Sequence, residues 1–198
     1  MERMTEEPAS LDLLTRTGWP DELTLLLRRY PRAIWDDHPN IAGIARFWLD
    51  IHASFRRAGT TLLGAASDFR EGRVAPERFR SWYAPRLQTF LSHLNGHHQI
   101  EDYEMFPLFG RVEPSLGRGF DVLETDHEVI HATMDRLAEA ATGFMGTDAG
   151  DRDKMRFAGD AYAVAGDALM RMLDRHLGDE EDLVIPLILD RGDEALGI

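Results

Sequence analysis

The sequence predicts an all-α protein, an up-down-up-down four-helix bundle with an extra N-terminal helical segment. Apolar residues recur at helical spacing in four long stretches, and no useful length alternates with the period of two that is typical of strands. The connections between the stretches are short, which favours antiparallel neighbours around one core. At 198 residues the chain is long enough to bury such a core.

Each long helix has its own signals in the sequence. The turn "HPN" at 38–40 precedes the first helix, whose apolar face extends to about Phe69. Pro76 is suited to the first turn of the second helix. The third and fourth helices are expected at about 119–142 and 153–189, joined by a Gly-rich connection.

The predicted domain organisation is an N-terminal tail and short helical segment, residues 1–37, followed by the bundle, residues 38–198. The first ten residues are polar and acidic with no apolar stretch behind them, so no secretory signal is predicted. No apolar run approaches the roughly 18 residues that a membrane helix needs. The sequence therefore predicts a soluble, cytoplasmic protein.

Composition excludes several classes of function. The net charge is −13, from 22 basic and 35 acidic residues, which argues against nucleic acid or an anionic membrane as a partner. The chain has no cysteine, so disulfides, thiolate metal sites and cysteine nucleophiles are excluded. Composition leaves the oligomeric state open.

A polar motif occurs twice where the apolar faces of the second and fourth helices are expected to end. "HHQIEDYEMFP" begins at His97 and "HLGDEEDLVIP" at His176, 79 residues later (176 − 97 = 79). The same offset joins Glu101 to Glu180. Because residues i and i+4 of a helix point the same way, each His-x-x-x-Glu pair can converge on one cation.

The same offset relates the first and third helices. His52 in "DIHASF" lies 79 residues before His131 in "VIHATM" (131 − 52 = 79). Buried unpaired carboxylates are costly, and two metal ions would satisfy all the groups at once, as in other four-helix cores. The predicted metal ligands are His52, His97, Glu101, His131, His176 and Glu180.

Three neighbouring residues leave alternatives open. His127 lies four residues before His131 and Glu181 directly follows the second motif's glutamate, so each is a candidate additional ligand or a group that contacts a ligand. His98 corresponds to Leu177 in the repeat and is expected beside the site, so that its replacement leaves metal content unchanged. Imidazole and carboxylate without thiolate suit iron, manganese, zinc or cobalt.

A proline follows each motif, Pro107 in the first and Pro186 in the second. Proline lacks the backbone N–H that an α-helix uses for its hydrogen-bond ladder. The sequence therefore predicts that these prolines help to end or bend each helix just past the site.

The pattern of single His, His-x-x-x-Glu, single His and His-x-x-x-Glu resembles the hemerythrin-like, or HHE cation-binding, family over roughly residues 38–190. The endings "EDYEMFP" and "EEDLVIP" are also similar to that family's. The resemblance implies a non-haem di-iron centre with an oxo or hydroxo bridge, in which zinc or manganese could substitute for iron. The roles that it implies are His52 and His97 at one iron, His131 and His176 at the other, and Glu101 and Glu180 as bridges.

Two branches of the family are similar to different parts of the chain. The di-iron repair-of-iron-centres proteins resemble it in both His-x-x-x-Glu motifs but carry a cysteine-bearing N-terminal region that this chain lacks. Oxygen-carrying hemerythrins share the His127 and His131 spacing, but their fourth-helix carboxylate falls at the position of Glu181 rather than Glu180.

The implied function is a di-iron protein that binds, senses or reacts with a small diatomic or oxidant, such as oxygen, nitric oxide or peroxide. Such a role is typical of oxidative or nitrosative stress. The alternatives are an iron store, donor or iron-responsive binding protein without turnover, and a zinc-stabilised bundle. Whether the protein is an enzyme stays open.

Overall fold

The computed structural model describes residues 10–148 and 150–198, and all regular secondary structure in these ranges is helical. This confirms the predicted fold class. Of the predicted N-terminal tail, residues 1–9 lie outside the described residues. No described helix has the combination of length and apolarity needed to cross a membrane.

The long helices pack in a ring in chain order. A short helix, α1 (Leu25–Arg29), precedes them, and another, α7 (Asp193–Leu196), follows them. The four bundle helices are α2 (Ile44–Arg70), α3 (Pro76–Ile100) with its continuation, α5 (Gly117–Gly146) and α6 (Arg152–Arg191). The continuation of α3 is a π-helical turn (Glu101–Met105) followed by α4 (Phe106–Val112). Helices α2 and α5 each contact both α3 and α6, which gives the up-down-up-down arrangement.

Helix α2 begins at a contact with α7. The backbone N–H of Ile44 donates to Oδ2 of Asp193 across 3.2 Å. Gly43 precedes it with φ of 75°, and a Cβ there would lie 2.0 Å from the same carboxylate oxygen. Glycine is therefore required at this position both by the backbone and by the neighbouring side chain.

Pro107 does not end its helical stretch, which continues to Val112. The π turn Glu101–Met105 directly precedes this proline region, and π turns are often found at functional sites. Phe106 and Phe109 on either side of Pro107 are buried in the core. Their burial offsets the hydrogen bond that proline cannot make.

Pro186 likewise lies inside α6, which continues to Arg191. Ile185 and Leu187 beside it are fully buried. The expectation that the two prolines help to end their helices is wrong. Burial of a large apolar side chain stabilises by about 1.5–3 kcal/mol, comparable to the roughly 3 kcal/mol cost of a proline in a helix.

The apolar core is divided in two by a polar layer. On α2, for example, His52 lies between Trp48, which belongs to one apolar cluster, and Phe55, which belongs to the other. The other three bundle helices show the same alternation. The buried polar residues of this layer include His52, His98, Glu101, His127, His176, Glu180 and Glu181.

The N-terminal segment, residues 10–42, packs along α6. The indole N–H of Trp19 donates to the carbonyl oxygen of Asp179 across 2.8 Å. Further along, Arg29 forms an ion pair with Asp190 at 2.8 Å. The segment therefore covers α6 beside the polar layer.

Candidate metal centre

Buried imidazoles and carboxylates meet in the polar layer in two groups. Within each group the potential ligand atoms lie within 4.8 Å of one another. The first group consists of His52, His97, Glu101 and Glu180, and the second of His98, Glu101, His127 and His176. Glu101 belongs to both groups, so the two potential cation positions are side by side.

Glu101, in the π turn, directs its two carboxylate oxygens to different groups. Its Oε1 lies 2.9 Å from Nε2 of His97, without hydrogen-bond geometry. Its Oε2 lies 3.5 Å from Nε2 of His127. The carboxylate therefore spans the boundary between the groups.

Glu180, on α6, spans the same boundary from the opposite side. Its Oε1 lies 3.4 Å from Nε2 of His52, and its Oε2 lies 3.4 Å from Nε2 of His176. The indole N–H of Trp48 donates to Oε1 across 2.5 Å. This hydrogen bond fixes the orientation of a carboxylate that is wholly buried.

Several atoms that face this space have no hydrogen-bond partner among the described residues. They are Nε2 of His52, His97 and His98, both carboxylate oxygens of Glu101, and Oε2 of Glu180. An unsatisfied buried polar group costs about 1–3 kcal/mol. Neutral imidazole nitrogens and carboxylate oxygens offer lone pairs, which is what a bound cation requires. The residues present therefore fit a pair of metal ions.

The two central carboxylates have opposite pKa shifts. Burial, followed by the nearby Glu180, raises the pKa of Glu101 well above its ordinary value. Burial opposes ionisation of Glu180 as well, but His52 and His176 outweigh it and hold the pKa of Glu180 well below its ordinary value. Without metal, the carboxylate pair therefore holds its proton on Glu101.

The imidazoles also differ in charge. Burial, reinforced by neighbouring imidazoles, lowers the pKa of His97 to about 3 and that of His98 well below its ordinary value. Burial would lower the pKa of His176 too, but hydrogen bonds to Asp126 and Glu180 raise it to about 9. Neutral imidazole is the form that binds metal.

Carboxylates hold the outer nitrogen of two of these rings. Nδ1 of His127 lies 2.6 Å from Asp102, and Nδ1 of His52 lies 3.0 Å from Oε1 of Glu181. Although burial opposes ionisation of Glu181, hydrogen bonds from His52 and Arg56 lower its pKa to about 2. Such contacts orient the inner nitrogen of each ring toward the site.

The structure brings five of the six predicted ligands into the two groups and leaves His131 outside them. Nε2 of His131 lies 3.0 Å from Nδ1 of His98. The ring of His98 stacks on that of His127 with centroids 4.0 Å apart, and both rings belong to the second group. Of the two candidate additional residues, His127 lies inside a group, while Glu181 contacts a ligand candidate, His52, from outside.

Sequence reasoning placed His98 beside the site because its repeat counterpart is the apolar Leu177. It also missed the role of Trp48, although the repeat contained the signal. Trp48 corresponds to His127 (127 − 48 = 79), and each faces the carboxylate of the other half of the repeat. The buried Arg16 carried no comparable signal, because its partners lie far away in the sequence.

A cavity of about 460 Å³ reaches the first group between α2 and α3. Its walls are mainly apolar and include Ile51, Phe55 and Ile100, while His97 and Glu101 also line it. The side chain of His97 is 11% exposed, whereas that of Glu101 is 1% exposed. A small molecule therefore reaches the centre from the His97 side.

An all-α bundle with buried histidines and glutamates grouped in its core is, as a class, a cation-binding helical bundle. The hemerythrin HHE cation-binding domain matches residues 43–188, and the chain belongs to this family. The resemblance inferred from the two motifs is thereby confirmed. No curated protein and no solved structure shows significant similarity to the chain.

Proposed function

We propose that the protein holds two iron ions and uses them to bind, sense or react with a small diatomic or oxidant such as oxygen, nitric oxide or peroxide. One observation carries this proposal. Glu101 and Glu180 each direct one oxygen to imidazoles of the first group and the other to imidazoles of the second. This geometry supports a pair of cations that share both carboxylates.

The donor set supports iron as the resident metal. The chain offers imidazole nitrogen and carboxylate oxygen and has no cysteine, a combination suited to iron, manganese, zinc or cobalt. Membership of the HHE cation-binding family favours iron among these, with zinc or manganese as substitutes. An iron pair would supply one-electron redox chemistry and a coordination position for a small ligand.

The side chains divide into three proposed roles. His52 and His97 hold one ion, and His127 and His176 hold the other. The pair of His98 and His131 completes the second position, with Nε2 of His98 facing the group and His131 holding Nδ1 of that ring. Glu101 and Glu180 bridge.

The surroundings select the ligand. The apolar walls of the cavity disfavour ions, because desolvating a charge without a partner is costly. They favour small uncharged molecules, which include oxygen, nitric oxide and hydrogen peroxide. The partial exposure of His97 gives such molecules a short path to the first group.

The test begins with metal analysis of protein purified from iron-supplied cells, together with its ultraviolet–visible spectrum. Two irons per chain with a near-ultraviolet charge-transfer band are expected. The reduced protein is then exposed separately to oxygen, nitric oxide and peroxide, and a spectral change with at least one of them is expected. Colourless protein that contains zinc, or no metal, would overturn the proposal.

A chelator separates this function from iron storage. If the protein reacts with a small ligand, iron remains bound during repeated cycles in the presence of a weak chelator. The deep burial of Glu101 and Glu180 supports this retention. Rapid transfer of iron to the chelator, without a spectral response to any of the three molecules, would instead indicate a store or donor.

A further inference from the structure

Arg16, in the N-terminal segment, reaches the polar layer although residues 10–42 precede the range that the family domain matches. Its side chain is fully buried. Nη2 donates to Oδ2 of Asp126 across 2.5 Å, and Nε donates to Oδ2 of Asp179 across 2.8 Å. One arginine thus joins a carboxylate of α5 to a carboxylate of α6.

The N-terminal segment holds Arg16 firmly in this position. Its Nη1 donates to the carbonyl oxygen of Leu11 across 2.7 Å, and its guanidinium lies 4.7 Å from the centre of the Trp19 ring. Arg175 of α6 donates to the carbonyl oxygen of Arg16. The guanidinium is therefore fixed by contacts on several sides.

Asp126 connects Arg16 to the metal centre. Its Oδ2, which accepts from Arg16, also lies 3.4 Å from Nδ1 of His176. The opposite nitrogen of that ring, Nε2, faces the second group and lies 3.4 Å from Oε2 of Glu180. A continuous line of contacts runs from Arg16 through Asp126 to a ligand candidate.

Stability alone does not account for this arrangement. Burying a guanidinium costs several kcal/mol, and replacing a buried ion pair by well-packed apolar residues is often neutral or stabilising. By contrast, a carboxylate that holds the outer nitrogen of a metal-binding imidazole fixes the ring and its inner nitrogen. The buried charge is explained if it holds Asp126 in place.

Arg32, also in the N-terminal segment, makes the equivalent contact behind the first group. Its Nη1 donates to Oε2 of Glu181 across 2.9 Å, and the other oxygen of Glu181 lies 3.0 Å from Nδ1 of His52. Arg32 also donates to the carbonyl oxygen of Gly178 across 2.8 Å. The segment therefore supports one imidazole of each group through a carboxylate.

We propose that the N-terminal segment is a functional part of the metal centre and that Arg16 is a positioning residue for His176, acting through Asp126. Arg32 plays the same part for His52 through Glu181. The inference rests on the proposed function, because it requires a metal ion in each group. It adds that the centre depends on a segment outside residues 43–188.

The test replaces Arg16 by Met, which keeps most of the side-chain volume and removes the guanidinium. We expect R16M to bind two Co²⁺ per chain, to show an altered visible Co²⁺ spectrum, and to release one Co²⁺ to EDTA about 10-fold or more faster than wild type. R16K keeps the charge but loses the forked geometry, so an intermediate release rate is expected.

The matched control is D179N. It removes the other carboxylate partner of Arg16 and leaves the contact with Asp126 intact. Its release rate and Co²⁺ spectrum are expected to match those of wild type. Equal acceleration in R16M and D179N would show that Arg16 only packs the segment, and an unchanged R16M would also overturn the inference.

A further variant keeps the test decisive if R16M fails to fold. D126N is nearly isosteric, leaves Arg16 in place, and is expected to speed release of one Co²⁺ to a similar extent. Wild-type release in D126N would overturn the inference alone. Wild-type protein that binds no Co²⁺ pair would overturn the proposed function and the inference together, so the two failures are distinct.

Discussion

The indole N–H of Trp48 donates a hydrogen bond to Oε1 of Glu180 across 2.5 Å in the fully buried layer between the two apolar clusters. At the equivalent position of the repeat, His127 lies 3.5 Å from Oε2 of Glu101. Each half of the repeat thus supplies a ring that faces the other half's carboxylate. One ring donates and packs, and the other offers a potential ligand, so the two sides of the centre are unequal.

Replacing Trp48 by Phe removes the N–H donor and keeps an aromatic ring in the core. Because Glu180 then loses a hydrogen bond in a buried site, we expect the free energy of unfolding of the metal-free protein to fall by about 2 kcal/mol. Chemical denaturation followed by circular dichroism measures this change. Trp82→Phe is the control, because Trp82 is partly exposed and stacks on Arg86; an equal loss there would contradict the assignment.

Glu101→Ala should remove both metal ions rather than one, because Glu101 belongs to both groups. Elemental analysis of the purified variant is expected to fall from two metals per chain to about none. Glu104→Ala, one turn away and exposed, is expected to keep both. Full occupancy of one site in the Glu101 variant would show that the carboxylate does not bridge.

His98 and His131 give a direct test of the second group. Because Nε2 of His98 faces that group and His131 contacts Nδ1 of His98, His98→Leu should lower metal content to about one per chain. His131→Leu should have the smaller effect, since it removes only the support for that ring. The reverse order would make His131 the direct ligand and His98 its neighbour.

Metal binding should release protons at pH 7. The pKa of His176 is raised to about 9 and that of Glu101 well above its ordinary value, so both bind protons that a metal must displace. Affinity for Zn²⁺ should therefore rise with pH up to about 9. Calorimetry at one pH in two buffers of different ionisation enthalpy measures the release, and identical heats in the two buffers would refute it.

The same shift makes the stability of the metal-free protein depend on pH. A raised pKa of His176 contributes stability that is fully present below its ordinary value of 6.5 and is lost as pH rises through about 9. The midpoint of thermal unfolding of the metal-free protein should fall over this window. The metal-loaded protein should not show this fall, because its imidazole is already deprotonated.

Gly96→Leu should restrict access to the first group. Gly96 lines the cavity, and a Cβ there would meet no atom within 4 Å, so the larger side chain can extend into the cavity without a clash at its base. Metal content should stay at two per chain while the reaction with oxygen slows about 10-fold. Stopped-flow absorbance measures the rate.

Gly64→Leu is the matched control for this variant. It makes the same change in a helix, also with no atom within 4 Å of the new Cβ, but away from the cavity. Both variants should be slightly more stable than wild type, because leucine is favoured over glycine in a helix by roughly 1 kcal/mol. Equal rates in Gly96→Leu and wild type would place the access path elsewhere.

The four helices and the position of the polar layer were predictable because they follow from local rules. Helical periodicity indicated the bundle, and the i, i+4 spacing placed His97 with Glu101 and His176 with Glu180. The offset of 79 residues then located His52. These relationships need only the geometry of a single helix and the presence of a repeat.

Two features were decided by the tertiary structure alone. The choice between His98 and His131 depends on how each helix is rotated about its own axis, which packing sets and a repeat cannot reveal. Arg16 meets Asp126 across 110 positions of sequence, a contact that no local pattern encodes. The sequence by itself determined which residue types could form a metal centre, whereas the packing of distant segments decided which side chains face it and which hold them in place.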